Sequence, residues 1–387
     1  MQNSKSWHRR RVRYLALLLA LFPGAAAQQT GQGSRFDRTT LPLTSFYDAP
    51  HPLPPAKPGS LIRFSSFEGY DLPDEVSAVR LLYHSHSPRG DDVAVSGVVL
   101  LPPGKPPAGG WPVIAWAHGF LGAARRCAPS LKRNLGYGSL FSMYLNLGYA
   151  LVVTDYVGLG TTGRAAVIDI PSNANDVIDA IAAAHAAVPP LGARWVMMGH
   201  AGGAWAALGV SEMQDSIRDP GFLGSIAISG GADFEDLYRP PVQGSSGTML
   251  LYLAYAIQTA FPEFQAEQIL SKKALPFFDR IQTVCGPAEL GNWPENELMI
   301  AGWRNNPFVQ KFFQRNRLGQ KSAYGPVLII DEQSTHVISR MCQQGDRVQS
   351  YTYPDTQPGN LIGESVGDQI SWVESRFAGR PPPHNCR

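Results

Sequence analysis

What the chain has little of sets the first limits. Cysteine is scarce: Cys127, Cys285, Cys342 and Cys386 are the only four in 387 residues, and none forms a C-x-x-C pair. That spacing argues against a zinc site or a thioredoxin-like redox centre. No apolar run reaches the roughly 20 residues that span a bilayer, and no self-similar period stands out, which argues against repeat architectures. An excess of one charge is missing too. Residues 1–27 carry Lys5 and four arginines and no acid, leaving 28 basic against 31 acidic residues in the remainder. No Lys/Arg-rich face is left for nucleic acid.

The N-terminus is the most readable segment. Arg9, Arg10, Arg11 and Arg13 precede the apolar stretch Leu15 to Phe22, and Ala25-Ala26-Ala27 supplies small residues for cleavage. Residues 1–27 are therefore expected to be a secretory signal peptide, and the mature protein to be secreted or periplasmic. In an exported chain, four cysteines predict one or two disulfides, with the pairing open.

Residues 28–60 are polar and proline-rich, an extended lead-in. Beyond them, 61–387 read as a single domain. Val79–His84 and Val93–Leu101 alternate as strands should, across the turn Ser87-Pro88-Arg89-Gly90. Pro112–Ala117, Ala150–Thr154 and Trp195–Met198 are short buried-type runs. Ser172–Ala187 is helical, with Val177, Ile178, Ile181 and Ala184 on one face. Strands and helices in alternation predict an α/β fold, a mainly parallel sheet flanked by helices. From about 231 to 324 the pattern changes to loosely spaced aromatics and the apolar stretch Met249–Phe261, read as a helical cap or lid over the site. The sheet resumes at Pro326–Ile330 and Val348–Tyr353, and Asp368–Phe377 closes with a helix.

Two short segments carry the chemistry. Trp195-Val-Met-Met-Gly199-His200-Ala201-Gly202-Gly203 runs strand, tight turn, small-residue helix start, the order of a G-x-S-x-G nucleophile elbow. Gly199 and Gly203 keep the outer glycines, but Ala201 stands where the serine belongs. Roughly 80 residues earlier, Pro112-Val-Ile-Ala-Trp-Ala-His118-Gly119-Phe120 is a strand ending in His-Gly, the type of loop that lends a backbone amide to an oxyanion hole.

With these segments in view, the chain resembles the secretory lipase family of α/β-hydrolases, the fungal-lipase-A-like enzymes and their bacterial relatives. The likeness extends through Phe46-Tyr-Asp-Ala-Pro50, Pro58-Gly-Ser-Leu-Ile-Arg63, Ser96-Gly-Val-Val99, Gly109-Gly-Trp-Pro-Val113, Cys127-Ala-Pro-Ser130, Thr154-Asp-Tyr-Val-Gly-Leu-Gly160 and Gly345-Asp-Arg-Val348. It is weak from 231 to 324. The resemblance implies an α/β-hydrolase fold with a helical lid, a Ser-Asp-His triad acting on lipids or other esters, and no cofactor or metal. The oxyanion donors it implies are the amides of Phe120 and Gly202. His118, Gly119, His200, Asp155 and Tyr156 are expected around the pocket.

Carried over position by position, the same resemblance implies that the reacting groups are gone. Ala201 replaces the nucleophile. The acid-bearing loop looks deleted, because Ile330 runs straight into Asp331-Glu-Gln-Ser-Thr-His336, read as the cap and first turn of a helix, with Asp331 the nearest acid. The stretch Asp355-Thr-Gln-Pro-Gly359 contains no histidine, and Pro358 falls about where it belongs. A lone serine-to-alanine change would have left the acid and histidine in place. Acyl transfer needs all three groups, so the reading is a secreted pseudoenzyme holding an apolar or ester ligand. Two alternatives stay open: a weakly active esterase with a relocated base, for which His336 and His384 are the candidates and Asp331 a displaced acid, and a protein-interaction scaffold. His84 and His86 form an H-x-H pair on a strand, but no third metal ligand is evident.

Overall fold

Runs such as Ala150-Leu-Val-Val-Thr154 have no polar face, and such runs are stable only in the interior of a sheet covered on both sides. The computed structural model describes residues 39–230, 233–239, 245–331, 336–357 and 359–386, the side chains of Ser245 and Ser246 excepted. The expected signal peptide, residues 28–38 of the lead-in, residues 231, 232 and 240–244 of the expected cap, residues 332–335 of the expected helix start and Pro358 lie outside these.

The strands are β1 (Leu61–Ser66), β2 (Ser77–His86), β3 (Asp92–Leu101), β4 (Trp111–Ala117), β5 (Ala150–Thr154), β6 (Leu191–His200), β7 (Phe222–Ile228), β8 (Val327–Asp331) and β9 (Val348–Thr352). They form one sheet in the order β1-β2-β3-β5-β4-β6-β7-β8-β9. The β1–β2, β2–β3 and β3–β5 pairs are antiparallel; β5–β4 and all pairs onward to β9 are parallel. The chain therefore folds as an α/β-hydrolase sheet, as the alternation of strands and helices predicts.

The longer helices are α1 (Gly138–Asn146), α2 (Ile170–Ala187), α3 (Gly202–Ile217), α4 (Ser245–Ala260), α5 (Pro307–Arg315), α6 (His336–Gln343) and α7 (Val366–Phe377). On one sheet face, Val177, Ile181 and Ala184 of α2 pack with Val113, Trp195 and Met197. On the other, Phe141 and Trp372 pack with Ile114, Trp116, Val196 and Met198. Asp169 caps α2 by accepting from Ser172 N at 3.0 Å and pairs with Arg315 of α5 at 2.7 Å. No described helix is long and apolar enough to cross a membrane.

Three details differ from the sequence reading or refine it. Asp331 ends β8, buried at 8% exposure and paired with Thr352, so it belongs to the strand. Residues 332–335 of the expected first helical turn lie outside the described residues, and α6 is described from His336. The described part of the lead-in is anchored, since Tyr47 is fully buried and donates from its hydroxyl to Ser130 O. The cysteines form Cys127–Cys285 and Cys342–Cys386, which settles the open pairing.

α4 lies within a large apolar cluster shared with Phe234, Phe264, Phe312 and Phe313. Cys127–Cys285 ties the segment that follows α4 to the loop that follows β4. Gly122, at φ +103, lies flat against it: a Cβ there would come within 2.8 Å of Gly286 N and 2.9 Å of Cys285 Cα. Only glycine allows that approach.

Candidate functional site

The strand β6 passes into α3 through a single residue, Ala201, with φ 52° and ψ −119°. A side chain at positive φ is strained by about 1–3 kcal/mol and persists only where the surroundings hold it. Here Ala201 N donates to Ile228 O at 2.9 Å, and Ala201 O accepts from Ala204 N at 2.9 Å. The flanking glycines are obligatory. A Cβ at Gly199 would sit 1.9 Å from Gly203 O, and one at Gly203 would sit 2.1 Å from Ala117 O. The turn thus has the backbone of a nucleophile elbow and carries a methyl group at its tip.

The loop after β4 comes alongside. The Cβ position of Gly202 lies 3.6 Å from Phe120 N, and that of Gly119 lies 3.3 Å from the Ala201 Cβ. Among the described residues, neither the Phe120 nor the Gly202 amide donates to a protein acceptor. The Gly202 amide also opens α3, where the helix dipole favours negative charge. The Gly119 amide is taken: it donates to Tyr137 Oη at 3.2 Å, and that hydroxyl lies 3.1 Å from His200 Nδ1. Burial raises the Tyr137 pKa, so the phenol stays neutral. Tyr137 was not flagged by the sequence, and nothing in Asn-Leu-Gly-Tyr137-Gly-Ser marks it.

The histidines are otherwise engaged. His118 is buried, with Nδ1 2.6 Å from Gly119 O and Nε2 3.2 Å from Asp155 O, and burial pushes its pKa down to about 4. Its ring packs on Tyr156, whose hydroxyl donates to His118 O. Asp155 was expected to shape the pocket. It is fully buried, accepting from Ser96 Oγ (2.6 Å), Ser130 N (2.8 Å) and Ser130 Oγ. Burial raises its pKa, opposed by those same hydrogen bonds. It cross-links β3, β5 and the Cys127–Ser130 loop, a structural task. Asp331 closes β8, two strands away from β6. His336 and His384 are exposed. On β2, His84 pairs with Asp92 at 2.8 Å and His86 approaches Asp179 at 3.9 Å. No group of metal-ligating side chains gathers among the described residues.

Phe120, Leu121, Tyr156, Ile170, Gly202 and Trp205 are among the residues around a small cavity of about 30 Å³, room for a water molecule or two. Phe120 stands edge-on to Tyr252 of α4, with 4.7 Å between ring centroids. Asn173, on the first turns of α2, also faces this space. Sequence periodicity could have found it, because it lies four residues before Val177 on the buried face of the helix.

A mainly parallel sheet with a strained elbow after β6 and a facing amide loop after β4 defines an α/β-hydrolase scaffold of the lipase and esterase class. The secretory lipase profile matches residues 138–385, and the chain belongs to that family. A comparison with curated protein sequences finds no match. Among solved structures, it is similar to Candida antarctica lipase A (17% identity, 90% of this chain and 89% of that one, TM-score 0.76). It is also similar to the rice cell wall degrading esterase LipA from Xanthomonas oryzae (16%, 84% and 100%, 0.69). A third is a putative hydrolase from Legionella pneumophila (15%, 82% and 98%, 0.68). At these identities the likeness establishes the fold.

Proposed function

We propose that this chain is a non-catalytic member of the secretory lipase family, exported and used to hold a small apolar or ester ligand beside the elbow. The observation that carries it is the methyl of Ala201 at the tip of an intact elbow. Alkyl carbon cannot attack a carbonyl or form an acyl-enzyme. The Phe120 and Gly202 amides can still polarise a carbonyl oxygen, but polarisation without attack is binding. Of the histidines near the elbow, His118 lies between two backbone carbonyls and His200 Nδ1 lies 3.1 Å from Tyr137 Oη, and among the described residues neither is held by a carboxylate in the manner of a triad base. Loss of the whole triad in a serine protease costs about 10⁶ in kcat. The family and the two disulfides fit an oxidising, extracellular setting.

The test is hydrolysis of p-nitrophenyl butyrate by the purified protein. The reading expects the rate of a heat-denatured control. Turnover well above that control that co-purifies with this chain would establish a relocated esterase instead.

A further inference from the structure

An open sheet has two edge strands, each with a row of N–H and C=O groups that a second chain can use as a template. The two edges here are protected differently. At β1 the register slips between Leu61 and Arg63, and Arg63 puts a charge in the strand; both features discourage pairing. β9 has neither. Val348-Gln-Ser-Tyr-Thr352 pairs with β8 without a break and carries no charge, proline or glycine. Three of its five residues are β-branched or aromatic, the composition of a strand that pairs readily.

What covers β9 is the C-terminal tail. Asn385 N donates to Val348 O at 3.0 Å, and the Asn385 side chain imitates a peptide unit. Its Oδ1 accepts from Ser350 N at 2.8 Å, and its Nδ2 donates to Ser350 O at 2.9 Å. The next residue, Cys386, is bonded to Cys342 of α6, the helix between β8 and β9. The plug is thus fixed covalently to the element beside the strand. Just before it, Pro381, Pro382 and Pro383 have no N–H, so over these residues the tail cannot offer a fresh edge. Chain ends are usually loose unless something ties them down, and this one is tied at both main chain and side chain.

We propose that the tail is an edge guard: pinned by Cys342–Cys386, it occupies the outer row of β9 and keeps that strand from pairing, antiparallel, with β9 of a second copy of this chain. A second copy is the occupant that the strand itself specifies. A two-fold axis at Ser350 sets Ser350 against Ser350 and Val348 against Thr352, with no like charges opposed. The two bonds that Ser350 N and O now make with Asn385 are then replaced by two between main chains, the hydrogen-bonded pair of an antiparallel ladder.

Analytical ultracentrifugation of the purified protein tests this. The unmodified chain should sediment as a monomer, and one already dimeric overturns the guarding role. Cys342→Ser, Asn385→Ala and Cys386→Ser together release the tail and should double the mass. Adding Ser350→Pro removes an N–H that points to the tail rather than to β8, and should return the monomer. A released chain that stays monomeric, or a dimer that survives Ser350→Pro, overturns the proposal. If the released chain precipitates instead, Ser350→Pro still decides. Recovery of soluble monomer supports pairing at this edge, and continued precipitation marks a lost fold and overturns it.

Discussion

Ala201 occupies a backbone conformation that costs free energy, and in an active hydrolase that cost supports an exposed nucleophile. Here the conformation remains although the hydroxyl is gone, because Gly199, Gly203 and the Ile228 carbonyl hold the turn whatever side chain sits at its tip. Restoring the oxygen alone should achieve little. A serine hydroxyl needs a base to take its proton, and the triad residues act as a unit. Ala201→Ser is expected to give no burst of p-nitrophenol from p-nitrophenyl butyrate, and kcat/KM within about tenfold of the parent. A burst with sustained turnover would reveal a base that the described histidines do not supply.

At the scale of elements, the cap and the amide loop are joined by one covalent bond. Cys127–Cys285 closes 158 residues, against 44 for Cys342–Cys386. Loop-closure entropy stabilises the folded state by about 5 and 4 kcal/mol respectively in the simplest chain treatment, with measured effects often smaller. Replacing both cysteines of the first bridge by alanine should lower the urea midpoint more than the same change at the second. It should also expose the cap to limited proteolysis first. Equal loss from both pairs, with the cap still protected, would show that packing of α4 and its aromatic neighbours holds the cap unaided.

Elements also differ in how well the sequence announces them. The parallel strands were legible because Pro112–Ala117, Ala150–Thr154 and Trp195–Met198 are too apolar for any edge position. The elbow was legible because its glycines have no substitute. What was hidden depended on contacts far apart in the chain: Asp155 gathers Ser96 and Ser130 into a buried knot, and Tyr137 crosses to Gly119 and His200. At the end of β8, local preference at Asp331 favours a turn, while pairing with Thr352 of β9 keeps it in the strand.

For the molecule as a whole, buried acids set the response to pH. Burial pushes the Asp176 carboxyl up to about 8, Glu212 to about 7 and Asp179 to about 6. Ser85 Oγ lies within hydrogen-bond distance of both Asp176 and Asp179, at 2.6 and 2.8 Å, and its one proton cannot serve both. A protonated carboxyl completes the set. Raised pKa values mean that the folded state keeps protons the unfolded chain would release. Their contribution is complete below the ordinary carboxyl range and is lost as pH rises through about 6 to 8. His118 works in a separate window: held neutral, it weakens the fold only as pH falls from its usual 6.5 toward about 4. Urea unfolding should therefore give a lower free energy at pH 8 than at pH 6.5, and Asp176→Asn should flatten that decline. A stability that rises over this interval would contradict the assignment.

The central claim concerns one atom, the attacking oxygen that Ala201 does not have. The most direct measurement is treatment of the native, purified protein with a serine-directed fluorophosphonate followed by intact-mass analysis. No mass increase is predicted. Stoichiometric labelling that maps to a serine bordering the cavity would contradict the account.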